Sequence, residues 1–369
     1  MEQNNFSGKI PVIAEQGAFI PRVGEVVLFL TNATNEKKYW KAGLITQVPH
    51  KETAPLTISD ISQPDTNNDI SISHSGFRVE TMSDPNSQSK HEQMRWEYCT
   101  LSRLRPLCLY EAVLSKQPRS DWDESIANAL KIMATFSLAL PLRFTGTWPN
   151  ASISHGGIFV GSELVVVGDV IRLISSGVTA NGTVLVVTAI ILYFNDLQTD
   201  PPNHDSVSGD SCQRIAVRLL GKLYSQTRNE EDKEVPDDIS LPRSMHGYTS
   251  QGAWHIVGDP AKSYSISPSF ILGRLYEAEA LEHYDLRSGG GGEEINFNPS
   301  GINEARAYAR GHDERIRDFN RDAKGGQKVC KWLWANDRVE ALGLHTFGDF
   351  DVGEEWEEIL EKEKMAYEG

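Results

Sequence analysis

Asp349 and Asp351 flank Phe350, and on an extended segment that spacing sets both carboxylates on one face. Hard cations are held by oxygen donors of this kind. No third ligand stands beside them in the sequence, so a solvated loop is the competing reading. His155, His246 and His255 stand apart from one another, and nothing next to any of them marks a general base. Gly156-Gly157 leads into a strand pattern rather than a helix start, which matches a phosphate-cradling loop poorly. The patterns G-x-x-x-x-G-K-[ST], G-x-S-x-G, H-E-x-x-H and H-x-E with a downstream C-x-x-C are all absent. An enzyme is therefore unsupported, and we read no catalytic residue, no metal site and no cofactor.

Binding chemistry is better represented. An aromatic cage holds a methylated lysine by cation–π contacts, about 0.5–2 kcal/mol per wall. Tyr39 and Trp40 are one candidate wall for a partner or histone tail, and Phe144 with Trp148 is another. The competing reading is that Trp40 and Trp148 are core residues, because a large aromatic contributes most where it is buried. Arg306, Arg310, Arg317 and Arg321, with Arg315 among them, form a group suited to nucleic acid or an acidic partner. Asp313, Glu314, Asp318 and Asp322 interleave with it and can neutralise it through i,i+3 and i,i+4 pairs.

A formal charge of −15 repels polyanions and argues against the whole surface coating DNA, although a local basic patch could still bind. The cysteines Cys99, Cys108, Cys212 and Cys330 are scattered with no C-x-x-C pair, so reduced core thiols are expected rather than a zinc ribbon. No apolar run reaches membrane-spanning length. The first residues carry no basic-then-apolar signal, which leads us to expect a nuclear or cytosolic protein.

The elements that must position these residues are mostly strands. Gly157–Ile174 is a long apolar run broken at Gly161 and turned at Gly168-Asp169. Its Val-Gly-acid-Val pattern occurs once more, as Val23-Gly24-Glu25-Val26 leading into Leu28-Phe29-Leu30, and the two copies suggest two barrels that open the same way. Tyr39–Val48 reads as the antiparallel partner of the first copy, and Ser75–Glu80 and Trp96–Leu101 as further strands that Leu104-Arg105-Pro106 ends. Asn181-Gly182 signals a two-residue hairpin before Val184–Phe194, and Arg214–Tyr224 is a third strand of that module. Trp254–Val257, Phe270–Tyr276 and Trp332–Trp334 continue the β pattern. Helices are expected at Tyr110–Ser115, at Glu124–Leu140 capped by Ser120 or Asp121, at Ile302–Phe319, and near Glu354–Tyr367. Residues 49–75, 195–211 and 230–238 read as polar surface insertions, and Gly289–Gly292 as a flexible linker.

The expected class is mainly β with a few helices (α+β): two SH3-like or BAH-like barrel modules joined by a buried helix, plus a helical and β C-terminal segment. The expected boundaries are 1–118 for an N-terminal SH3/Tudor-like module, 119–145 for the connecting helix, 146–288 for a BAH-like module, and 289–369 for the C-terminal segment packed on it.

Several of these segments resemble one known family. Ile20–Leu28, Gly76–Glu80 with Asp84-Pro85-Asn86, and Phe144–Pro149 look like fungal proteins of the cryptic loci regulator two family. Gly157–Glu163 with Val167–Leu173 is the most specific part, and Gly273-Arg274-Leu275-Tyr276 and Trp332–Leu344 extend the similarity in order along most of the chain. The chain departs at Ser162, where alanine is commoner. The resemblance implies a nuclear, non-catalytic scaffold subunit of the SHREC heterochromatin-silencing assembly, with BAH-like and methyl-binding-domain-like modules. The implied partners are a zinc-finger scaffold protein, a histone deacetylase and a chromatin remodeller. The runner-up reading is a direct reader of histone tails or DNA through the barrel modules.

Overall fold

The structure, a computed structural model, describes residues 20–31, 39–49, 76–87, 96–147, 149–175, 182–197, 212–227, 241–277, 280, 299–322, 330–344, 346–347 and 350–351. In chain order the elements are β1 (Val26–Leu30), β2 (Trp40–Gln47), β3 (Phe77–Thr81), β4 (Trp96–Cys99), β5 (Leu104–Pro106), α1 (Tyr110–Leu114), α2 (Glu124–Lys131) and β6 (Thr135–Thr147). Then follow β7 (Asn150–Val160), β8 (Glu163–Val166), β9 (Val170–Leu173), β10 (Val184–Leu197), β11 (Cys212–Ser225), β12 (His255–Ile256), β13 (Tyr264–Ile266) and β14 (Ile271–Arg274). The chain continues through α3 (Pro299–His312), α4 (Glu314–Asp322), β15 (Leu333–Ala335), α5 (Arg338–Leu342), β16 (Thr346–Phe347) and β17 (Phe350–Asp351). The class is thus mainly β with a few helices. The residues expected as a C-terminal acidic helix, as the Gly289–Gly292 linker, and as most of the polar insertions lie outside the described ones.

The chain divides into two units, one formed mainly by residues 138–299 and the other by residues 21–52, 59–137 and 300–369. In the second unit an antiparallel sheet has the order β4-β3-β2-β1-β5. Val26, Leu28, Ala42 and Leu44 from this sheet share one apolar cluster with Ile126, Ala129 and Leu130 of α2 and Ala305 and Ala309 of α3. The buried Ser125 hydroxyl accepts the Ala42 N–H at 3.0 Å, which ties α2 to the middle of β2.

In the other unit the sheet runs β12-β11-β10-β7-β6, with β13 added to β11, β8 to β7, and β9 between β10 and β14. Val170, Val184, Val186, Tyr224, Met245, Trp254 and Ile256 make one of its apolar clusters.

The two Val-Gly-acid-Val segments fold into the same turn. Gly24 and Gly168 take φ of 88° and 103°, the left-handed side where a side chain is strained. Glu25 accepts the Arg22 N–H at 2.8 Å, and Asp169 accepts the Val166 N–H at 2.8 Å, each three residues back. The backbone bonds repeat as well: Gly24 N–H to Ile45 O and Gly168 N–H to Val187 O, both 2.8 Å, are answered by Ile45 N–H to Glu25 O and Val187 N–H to Asp169 O. Each turn therefore delivers its strand, β1 or β9, to an antiparallel partner, β2 or β10.

Several expectations need correction. The sheets are open, not barrels: among the described residues β4 and β5 remain the edges of the second unit's sheet. Pro106, with no N–H to donate, sits in the three-residue edge strand β5, which joins the sheet beside β1 instead of ending it. The long helix stops at Lys131; a 3-10 turn follows, and Thr135–Ser137 become the start of β6 by parallel pairing with β15. Its cap is Asp123, which accepts the Ser125 N–H at 3.0 Å, while Ser120 and Asp121 belong to a separate turn. The helix after 299 is two helices, divided at Asp313 and not at Gly311, with Asn86 accepting the Glu314 N–H and donating to His312 O. Finally, β9 ends at Leu173 and its partner β10 begins at Val184, too far apart in sequence for a two-residue hairpin at Asn181-Gly182, where Asn181 lies outside the described residues.

Replacing Asp169 by alanine strands a buried N–H at the turn and should cost about 1–3 kcal/mol. Urea unfolding of Asp169→Ala and Glu25→Ala, read by circular dichroism, should show comparable losses; an unchanged midpoint in both would remove the shared-turn account.

Candidate functional site

Tyr39 immediately precedes β2, and Trp40 is the first residue of that strand. Tyr39 is 41% exposed, with the Lys41 ammonium 5.4 Å from its ring. Trp40 is half-buried against the apolar cluster of its unit, with the Arg105 guanidinium 5.7 Å from its ring. Phe144 stands 66% exposed on β6 in the other unit, and Trp148 lies outside the described residues.

The arginine group is divided by burial. Arg306 is buried, its guanidinium 4.9 Å from the Trp332 ring, and Arg310 is half-buried. Arg317 and Arg321 face solvent, 4.0 Å from Glu314 and 3.1 Å from Asp318 respectively. Arg315 pairs with the buried Asp313 at 2.6 Å and also donates to Ala341 O, so it pins α4 to α5. The spacing of the run carried the i,i+3 pairs of Arg317 and Arg321, but not the contact of Arg306 with Trp332 or of Arg315 with Ala341, which depend on residues farther along the chain.

Two constellations escaped the sequence reading. On edge strand β4, Trp96 is 53% exposed, 5.4 Å from Tyr98 edge-to-face, and the Arg78 guanidinium lies 4.8 Å from its ring. Their i,i+2 spacing was the available signal. The second is a buried polar hub around Glu163. Its carboxylate accepts the Arg274 N–H at 3.0 Å and the Tyr276 hydroxyl, while Arg172 Nε donates to Arg274 O at 2.9 Å. Arg274 is 2% exposed and is the largest fully buried side chain among the described residues. Gly273 takes φ 147°, and a Cβ there would sit 2.3 Å from Glu163 Oε2. Backbone and carboxylate can approach this closely only at glycine. Charges so enclosed fix which strands meet, since removing one partner leaves another buried and uncompensated.

A comparable buried cation closes the Gly24 turn. Arg338 Nε donates to Gly24 O at 2.8 Å; burial pulls its pKa down to about 9, and the Glu25 carboxylate opposes that pull. His155 is buried, with Nδ1 3.2 Å from Ile153 O, and burial lowers its pKa. Burial likewise pushes the Cys99 thiol up to about 12. Among the described residues no group of three or more His, Cys, Asp or Glu side chains is placed to hold a metal. Asp349 lies outside them.

Residues 155–277 match the family model described as transcription-silencing protein Clr2. They span the Glu163 hub and β8 to β14. No curated protein matches the chain. Among solved structures, one described as Clr2 bound to the Clr1 C-terminus aligns with a TM-score of 0.50 at 15% identity, covering 96% of this chain and 64% of that one. At that identity the likeness is one of fold, and the chain spans less than two thirds of its solved relative.

Gly273→Ala should destabilise the protein by about 2 kcal/mol or more, read as a lower urea midpoint; a midpoint within error of wild type would contradict the hub geometry. Folding holds the His155 pKa below its ordinary 6.5. Below that pH the unfolded chain binds a proton that the folded chain does not, so this contribution to stability is complete at neutral pH and declines as pH falls. Between pH 7 and 5, His155→Gln should lose less stability than wild type, as followed by thermal melts.

Proposed function

We propose that this chain, whose residues 155–277 match the model of the transcription-silencing protein Clr2 family, is a non-catalytic scaffold subunit of a transcription-silencing complex. The observation that carries the reading is the family match over the unit built around Glu163, Arg274 and Tyr276. On this reading that unit is the BAH-like module, and its buried polar hub serves to hold a shape that other polypeptides recognise. The first partner is a C-terminal segment of a second scaffold protein of the zinc-finger kind, by analogy with the solved relative described as Clr2 bound to the Clr1 C-terminus. A histone deacetylase and a chromatin remodeller complete the assembly, and they do the chemistry at heterochromatin in the nucleus. The solvent-facing Arg317 and Arg321 are the members of the arginine group suited to touching an acidic partner.

Affinity purification of the tagged chain from nuclear extract should recover deacetylase and remodeller subunits together with a zinc-finger scaffold. Recovery of none of them, with the tagged chain itself folded and abundant, would overturn the assignment.

A further inference from the structure

In the unit that contains α2 and α3, these two helices border a cleft of about 460 Å³. Three aromatic rings face it, from Tyr110, Trp122 and Tyr308. Each is held from behind. Tyr110 donates its hydroxyl to Gly301 O at 3.1 Å and meets Trp122 edge-to-face at 6.1 Å. Trp122 donates its indole N–H to Gln117 O at 3.2 Å, and Tyr308 stacks on His312 at 3.9 Å. Walls fixed in this way lose little freedom when something enters.

Carboxylates of Glu124 and Glu304 stand at the solvent side of the same cleft. A cation from this chain already uses both kinds of surface: the Arg119 guanidinium lies 5.5 Å from the Trp122 ring and 3.8 Å from Glu304. Its side chain is 67% exposed and that of Glu304 is 60% exposed, so the pair is screened and held weakly. Arg119 therefore reports the chemistry the cleft prefers without closing it.

We propose that this cleft accepts an arginine or lysine side chain presented by an extended segment of a partner polypeptide, and that Arg119 is its built-in occupant until that segment arrives. The incoming cation would lie over the Trp122 face and donate N–H groups to Glu304 and Glu124, while its aliphatic stem packs against Ala127 and Ala305. A phosphate-bearing ligand is disfavoured by the same carboxylates. The net charge of −15 draws a basic segment in and repels a polyanion.

The experiment needs only the purified full chain, so its result does not bear on membership of a silencing complex. An acetylated, amidated Gly-Gly-Arg-Gly-Gly peptide is titrated while the Trp122 indole N–H resonance, assigned by its loss in Trp122→Phe, is followed by NMR. The expected result is a saturable shift, with the citrulline version of the peptide, equal in shape but neutral, binding at least about ten-fold more weakly. Glu304→Gln should weaken the arginine peptide about three-fold or more. Arg119→Ala should tighten it about two-fold or more by removing the competing occupant. Equal binding of the arginine and citrulline peptides, or no saturable shift in an Arg119→Ala protein whose circular dichroism is native, overturns the proposal. An affinity unchanged by Arg119→Ala overturns the role given to Arg119.

Discussion

A carboxylate that accepts a backbone N–H three residues behind it is the interaction on which both units depend. At Glu25 and at Asp169 it secures a turn that glycine makes sterically possible, and the turn aims the following strand at its neighbour. Hydrogen bonds to a charged acceptor contribute about 1.5–3 kcal/mol each, more than neutral ones. Burial raises the stakes, because an acid removed from water must keep its donors. The bonds from Gly24 and Gly168 to Ile45 and Val187 then set the register of β1 on β2 and of β9 on β10.

Each unit adds a long-range polar closure to this local device. In one, Arg338 of α5 reaches the Gly24 carbonyl. In the other, β8 supplies Glu163, β9 supplies Arg172, and β14 with the residues after it supplies Gly273, Arg274 and Tyr276. Apolar packing would tolerate neighbouring registers of such valine-rich strands. A buried acid that must find a particular N–H and a particular hydroxyl does not, which gives the strands one pairing. The family match falls on the segment that contains this second closure.

Such a frame leaves its surfaces available. The exposed Trp96 on an edge strand and the aromatic cleft occupied by Arg119 are both places where cations already sit over rings. The acidic balance of the chain favours basic partners for both.

Local chemistry was legible from the residue order alone. The recurring Val-Gly-acid-Val pattern, the alternation of Trp96–Cys99, the valine-rich runs of β9 and β10, and the short helix at Tyr110 all depend on neighbours within a few positions, and these strands and turns follow directly. The family resemblance was visible for the same reason, as ordered short motifs. Tertiary structure alone decided the rest. Thr135 leaves the helical pattern because Leu333 pairs with it from 198 positions away, as the register of β15 on β6 shows (333 − 135 = 198). Arg306 is buried and Arg317 is exposed because only the first meets Trp332. The cleft exists because α2 and α3, distant in sequence, converge on Tyr110 and Trp122. Burial is a property of what arrives from elsewhere in the chain, and no local pattern encodes it.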